Sequence, residues 1–251
     1  MAKDDTSALR LSDVSEALAL LTRLPVQMGA ARGNRAAWAW PLVGVVTGAI
    51  AGMVAGVSLW LGLPLQIAAG LAIASQILAT GALHEDGLAD CADGFWGAST
   101  TPNRLKIMKD SHIGTYGVLA LVLSVGLRWQ ALAFVMSYGH IFGPVIVAGV
   151  VSRTPMLVLM ARLPFARADG LARHVGQPSG QTMGLGLVVA AIATLIFGGF
   201  WALPLAVLVV LLSWAWERLA MAKIGGQTGD VLGSAQQVTE IIALAAIAAM
   251  L

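Results

Sequence analysis

Long apolar stretches dominate the chain and short polar ones interrupt them. Seven stretches are almost uniformly apolar: Trp40 to Leu63, Leu65 to Leu83, Thr115 to Met136, Ile141 to Met160, Met183 to Phe200, Leu203 to Met221 and Val238 to Leu251. A helix needs about 20 such residues to cross the hydrocarbon core of a bilayer. The pattern therefore predicts an all-α fold: one polytopic integral membrane helical bundle, residues 1–251, with about six or seven transmembrane helices. The last stretch is short for a full span. Ahead of the first, residues 1–36 read as an arm carrying one interfacial helix. Ser12, Asp13 and Glu16 mark its start, Leu18, Leu20, Leu21 and Leu24 its apolar face, and Pro25 its end.

Composition agrees with the pattern. Of 251 residues 58% are hydrophobic and 11% charged, against about 25% charged in soluble domains. Cys91 stands alone, which excludes an internal disulfide and a cysteine-rich metal cluster. The net charge is +2, but the basic residues are scattered rather than massed, so nucleic acid is not expected as a partner. The first residues carry Asp4, Asp5, Asp13 and Glu16 with no small-residue cleavage site, unlike a signal peptide.

Lys and Arg fall unevenly. Lys3, Arg10, Arg23, Arg32 and Arg35 lie in the arm, and Arg104, Lys106 and Lys109 follow the second span. Arg162, Arg167 and Arg173 follow the fourth, and Arg218 and Lys223 close the sixth. The intervening connections carry no Lys or Arg, so alternate counting puts every charged connection on one side. The positive-inside rule makes that side cytoplasmic.

Candidate chemistry gathers on the same side. An expected acidic loop, residues 84–114, opens with HEDGLADCADGFWG, in which Asp86, Asp90 and Asp93 recur at helical spacing. If the second helix continues, all three carboxylates share one face. Such acids at a membrane boundary need a counter-ion, and Mg²⁺ or Mn²⁺ prefers carboxylate oxygens. His84, Glu85, Asp110 and His112 are candidate bases or supporting groups. Arg104, Lys106, Lys109, Arg162 and Arg167 are candidate phosphate contacts. An expected glycine-rich loop, residues 222–237, adds Gly226, Thr228, Gly229 and Asp230, where backbone amides can approach an anion. Glu240 is read as the start of the helix beyond it.

The ordered motifs LTRLP (21–25), WPLVG (40–44), LHEDGLADCADG (83–94), RLKIMKDSHIGTYG (104–117) and GGQTGDVLG (225–233) resemble the cobalamin synthase family. The resemblance covers about residues 18–240. It implies an adenosylcobinamide-GDP ribazoletransferase of the bacterial cytoplasmic (inner) membrane, its active site facing the cytoplasm. Its substrates would be adenosylcobinamide-GDP and α-ribazole or α-ribazole 5′-phosphate, with GMP released. Mg²⁺ would sit on Asp86, Asp90, Asp93 and Asp230. Ala82 stands where the family tends to have glycine, and Ser234 where alanine is common. Oligomeric state is left open.

Two rivals are weaker. The pattern of a CDP-alcohol phosphotransferase resembles DxxDGxxAR followed by GxxxDxxxD, and here no Ala-Arg pair or later Asp pair follows Asp93 at the required places. A cation transporter would place acids near the bilayer midplane, whereas the acids are read as lying in the arm, in loops or near helix ends.

Overall fold

A computed structural model describes residues 9–27 and 31–251; Lys3 of the basic arm lies outside them. The helices are α1 (Ser12–Leu21), α2 (Trp40–Trp60), α3 (Leu65–Thr80), α4 (Leu83–Gly97), α5 (Thr101–Ile107), α6 (Thr115–Ser137), α7 (Gly143–Arg162), α8 (Leu171–Val175), α9 (Gly180–Gly198), α10 (Ala202–Ile224) and α11 (Gly229–Ala249). Five helical stretches are long and apolar enough to cross a membrane, and α3 with α4 makes a sixth when the bent pair counts as one. One of the five is the 45-residue run Gly180–Ile224. Straight, it would measure about 68 Å, more than twice the hydrocarbon thickness.

That run reverses at Gly199, where φ is +52° and ψ −120°. Gly186 of α9 packs on Leu157 of α7, and Gly198 on Val147, so α9 is antiparallel to α7. Val147 and Val151 cluster with Leu205 of α10, and Arg162 pairs with Glu217, so α10 is parallel to α7. The run is thus two spans. With α2, α3, α6, α7 and α11 it makes seven crossing segments, within the predicted range.

Helix α7 is the axis of the bundle, with sixteen of its twenty residues buried. Helix α2 lies against it along Gly44, Gly48 and Gly52. A Cβ at Gly44 would stand 2.2 Å from the Gly149 carbonyl oxygen, and one at Gly48 2.5 Å from Ile146 Cα. Small residues let membrane helices approach this closely, gaining dispersion contacts where no hydrophobic drive exists. The outward faces of α6, α9 and α10 expose Val122, Leu123, Ile192, Ile196, Val210 and Leu211. An apolar belt of this kind fits lipid as the solvent.

The interior contradicts the expectation that acids keep to arm, loops and helix ends. Glu240 sits mid-way along α11, 3% exposed, near Arg128 of α6 at 3.6 Å. Arg128 also pairs with Glu85 of α4 at 2.9 Å. Gln237 donates to the same Glu85 oxygen at 3.1 Å, and Ser124 donates to Gln237 at 3.0 Å. Gln236 donates to Ser152 at 3.0 Å and also to Glu240. The four helices α4, α6, α7 and α11 are pinned together by charges that lipid could not solvate.

The polar residues of this network also explain a misread span. Helix α11 begins at Gly229, not near Val238, and its 21 residues reach about 31 Å. Its amino-terminal half was hidden from a hydropathy reading because Ser234, Gln236, Gln237, Thr239 and Glu240 are buried against protein rather than lipid. The expected loops shrink accordingly. Most of residues 84–114 is helical in α4 and α5, and only 225–228 separate α10 from α11.

All the charged connections meet at one end. A single buried cluster there joins Leu21, Trp40, Phe95, Met160, Ile224 and Val231. Helix α1 is fastened to this end: Trp38 Nε1 donates to Asp13 at 2.8 Å, and Glu16 accepts from the backbone amides of Arg32 and Gly33 at 2.8 and 2.7 Å. Asp13 is thus turned into the protein rather than capping α1.

Candidate active site

The second span does not run on into the acidic motif. Gly81 (φ +64°) and Ala82 (φ +57°) are both left-handed, and α4 leaves α3 at 88°. The amide of Arg23 caps the free carbonyl of Ala79 at 2.7 Å. Left-handed backbone costs a residue with a Cβ about 1–2 kcal/mol, a strain that Ala82 carries and a glycine there would not. Helix α4 consequently turns away from the line of α3 beyond the break and crosses α11. A Cβ at Gly87 would meet Asp230 Cα at 2.9 Å, and one at Gly233 would meet His84 Cα at 3.2 Å. Two glycines at the crossing thereby set Asp86 and Asp90 beside Asp230.

The connection after α7 is brought in by backbone pairing. Gly226 lies so close to Pro164 that a Cβ would stand 2.3 Å from its carbonyl oxygen. Gln227 N donates to Pro164 at 2.8 Å and Ala166 N to Gln227 at 3.0 Å. This short bridge delivers Arg167 onto Asp230, with which it forms an ion pair. Thr228 caps α11 by accepting from Val231 N at 3.3 Å, and its hydroxyl also donates to Asp230 at 3.2 Å. Lys109, ahead of α6, pairs with Asp169 and so ties the two cytoplasm-predicted connections together.

Two cavities open here. One, about 210 Å³, lies between α1, α2, α4, α7, α8 and α11 and is lined by His84, Arg167, Asp169, Arg173, Gln227 and Asp230 together with apolar side chains. The other, about 520 Å³, is lined by Asp90, Asp110, Ser111 and His112. Asp86 and Lys109 line both.

Several predicted site residues have other work. Asp93 accepts from the amides of Gly114 and Gly117 at 2.7 and 3.0 Å. It caps α6 instead of sharing an open face with Asp86 and Asp90, because a helix start supplies unpaired N–H groups that attract a carboxylate. Glu85 is buried and paired with Arg128 at the inner wall of the larger cavity. Arg104 donates to the carbonyls of Ala98 and Lys223 at 3.0 and 2.9 Å, closing the ends of α4 and α10. Arg162 pairs with Glu217. Lys106 is exposed and lines neither cavity. Asp169 and Gln227 enter the site unforeseen, since a lone polar residue in a loop gives no signal until packing closes a cavity over it.

Charge in the site is unbalanced in an informative way. Burial, then the carboxylates of Asp230 and Asp86, push the Asp90 carboxyl up to about 7. His84 is held well below the usual histidine range by burial and by Arg153 and Arg128, so it is neutral at pH 7. In the exposed pair Asp110–His112 (2.7 Å) the mutual hydrogen bond raises the histidine and lowers the acid. Among the described residues no three His, Cys, Asp or Glu side chains already converge as metal ligands. The donor set itself, three carboxylates with one forced toward its protonated form, fits a hard divalent cation, which would remove the repulsion.

Fold and site together define a class: a multi-pass helical membrane protein with acids and phosphate-suited cations converging at one end. The chain belongs to the cobalamin-5-phosphate synthase family, whose model matches residues 13–248. An adenosylcobinamide-GDP ribazoletransferase of Bradyrhizobium diazoefficiens is 42% identical over 244 residues, 95% of this chain and 94% of the relative. Proteins of the same name from Mesorhizobium japonicum (40% identical; 93% of this chain, 92% of the relative) and Brucella canis (42% identical; 93% and 95%) are also similar. No solved structure matches the chain.

Proposed function

We propose that this chain is a membrane-bound transferase that joins adenosylcobinamide-GDP to α-ribazole or its 5′-phosphate, forming adenosylcobalamin or its 5′-phosphate and releasing GMP. Family membership and likeness to the relatives over more than nine-tenths of both chains support the reading. The observation that carries it geometrically is the meeting of two cavities on Asp86 and Lys109, as a two-substrate reaction requires.

A ribose hydroxyl of the ribazole attacks the cobinamide-side phosphorus of the diphosphate. The new O–P bond forms as the bond to the GMP phosphate breaks, and GMP leaves with the electron pair. Such a transfer depends on positioning and charge neutralisation more than on covalent help from the protein. Lys109 and Arg167, which line the smaller cavity, would hold diphosphate oxygens. Asp86, Asp90 and Asp230 would hold Mg²⁺, which when bound neutralises charge on the diphosphate. His112, oriented by Asp110 in the second cavity, takes the hydroxyl proton. The positive-inside rule supports a cytoplasmic side for this end, and likeness to bacterial relatives supports the bacterial inner membrane as its location.

The test uses purified protein in lipid with adenosylcobinamide-GDP, α-ribazole and Mg²⁺. Stoichiometric GMP is expected; its absence with both ribazole forms would refute the assignment.

A further inference from the structure

The smaller cavity holds an uncommon feature. Gln227 is 1% exposed, and neither its side-chain oxygen nor its nitrogen has a hydrogen-bond partner. Its backbone is engaged with Pro164 and Ala166, so the residue is fixed while its amide is left without a partner. Burying an amide without partners is costly, and native structures keep such a group where something else satisfies it. Nearby, His84 Nε2 is likewise buried and unpartnered. Trp40 and Phe165 contribute aromatic faces, and the Arg173 guanidinium lies 4.9 Å from the Phe165 ring centre. Arg167 and Lys109 line the side toward the acidic cluster.

We propose that this cavity seats the guanine base of the nucleotide substrate and that the Gln227 amide reads its edge. The inference rests on the reaction proposed above and adds where each substrate lies. A primary amide offers one donor and one acceptor side by side, and the guanine edge, with N1–H next to O6, satisfies both together. The dimethylbenzimidazole of α-ribazole carries no donor and a single ring acceptor, so it would leave half of Gln227 unpaired. A corrin ring is far too large for about 210 Å³. With the base seated here, the diphosphate extends past Arg167 and Lys109 toward Asp86, and the ribazole enters from the larger cavity. Gln227 is then a specificity residue for the leaving nucleotide, distant from the bond that breaks.

The experiment compares full-length wild type, Gln227→Leu and Gln227→Asn in lipid nanodiscs. It reads direct GMP binding by calorimetry, KM for each substrate and competition by adenosylcobinamide phosphate, which lacks the nucleotide. Losing two hydrogen bonds to a buried edge should weaken GMP binding and raise KM for adenosylcobinamide-GDP about tenfold or more. KM for α-ribazole and inhibition by adenosylcobinamide phosphate should stay within about twofold. Gln227→Asn, which withdraws the amide by one methylene, should shift GMP binding in the same direction by less, and serves if the leucine variant does not fold. Unchanged GMP binding overturns the assignment. So does a shift confined to α-ribazole, which would put the benzimidazole here, or an equal loss of adenosylcobinamide phosphate, which would make Gln227 a reader of corrinoid amides. If wild type releases no GMP from the two substrates, the proposed reaction fails, while calorimetry with GMP still tests the seat.

Discussion

Replacing Arg128 with methionine tests what holds the acidic helix in place. Arg128 is 1% exposed inside the bundle and is the near partner of Glu85 at 2.9 Å, with Glu240 at 3.6 Å. Methionine fills much of the same volume but leaves two buried carboxylates facing Gln236, Gln237 and the single remaining cation of the network, Arg153. Removing one partner of a buried pair costs about 3–5 kcal/mol, chiefly the penalty of the stranded charge. The unfolding equilibrium should move by roughly two to four powers of ten. Unfolding by denaturing detergent in mixed micelles, followed by tryptophan fluorescence, gives the difference. Adding Glu85→Gln to Arg128→Met removes one stranded charge and should recover about half of the loss. If Arg128→Met is as stable as the parent, or if the two substitutions simply add, the ion pair does not anchor α4. Glu85→Gln alone keeps its hydrogen-bonding shape and should retain most turnover, unlike the loss of a catalytic base.

Three further outcomes follow from the site. Asp90 has its folded pKa raised from 3.8 to about 7, so the metal-free protein binds more protons folded than unfolded between those values. Stability should fall as pH rises from about 4 to 7, and Mg²⁺ should raise the melting temperature more at pH 8 than at pH 5. Asp90→Asn should flatten both trends and abolish Mg²⁺-dependent turnover, and an equal Mg²⁺ effect at the two pH values counts against the cluster. Gly87→Leu, placed where even a Cβ lies 2.9 Å from Asp230 Cα, should cost about 1–3 kcal/mol by overpacking. It should also lower kcat by separating Asp86 from Asp230; wild-type kcat would mean the crossing does not set the site. Ala82→Gly relieves a left-handed alanine, φ +57°, and should stabilise by about 0.5–1 kcal/mol, the strain relieved less the entropy glycine adds to the unfolded chain. A lower melting temperature would contradict this.

The sequence by itself determined the bundle. Hydropathy reports what each segment needs as a solvent, so the spans, the charged end and the neighbouring places of Asp86 and Asp90 were legible from local pattern, whereas Asp230 was joined to them only through the family resemblance. Local pattern fails where partners come from elsewhere in the chain. Glu85 and Arg128 are 43 residues apart and Glu85 and Gln237 are 152 apart, and a polar residue satisfied by such a partner looks, in sequence, like one that needs water. For that reason α11 appeared to start late and Glu85 resembled a base. The break at Gly81–Ala82 was invisible because left-handed backbone there is fixed by packing around Arg23. The spacing of Asp93 promised a shared face, yet the start of α6, 21 residues on, offered its carboxylate two amides instead. Gln227 acquired meaning only when six helices closed a cavity around it. Sequence set which residues could meet at this end of the membrane; tertiary packing decided which did, because burial makes each unpaired polar group costly enough to choose its partner.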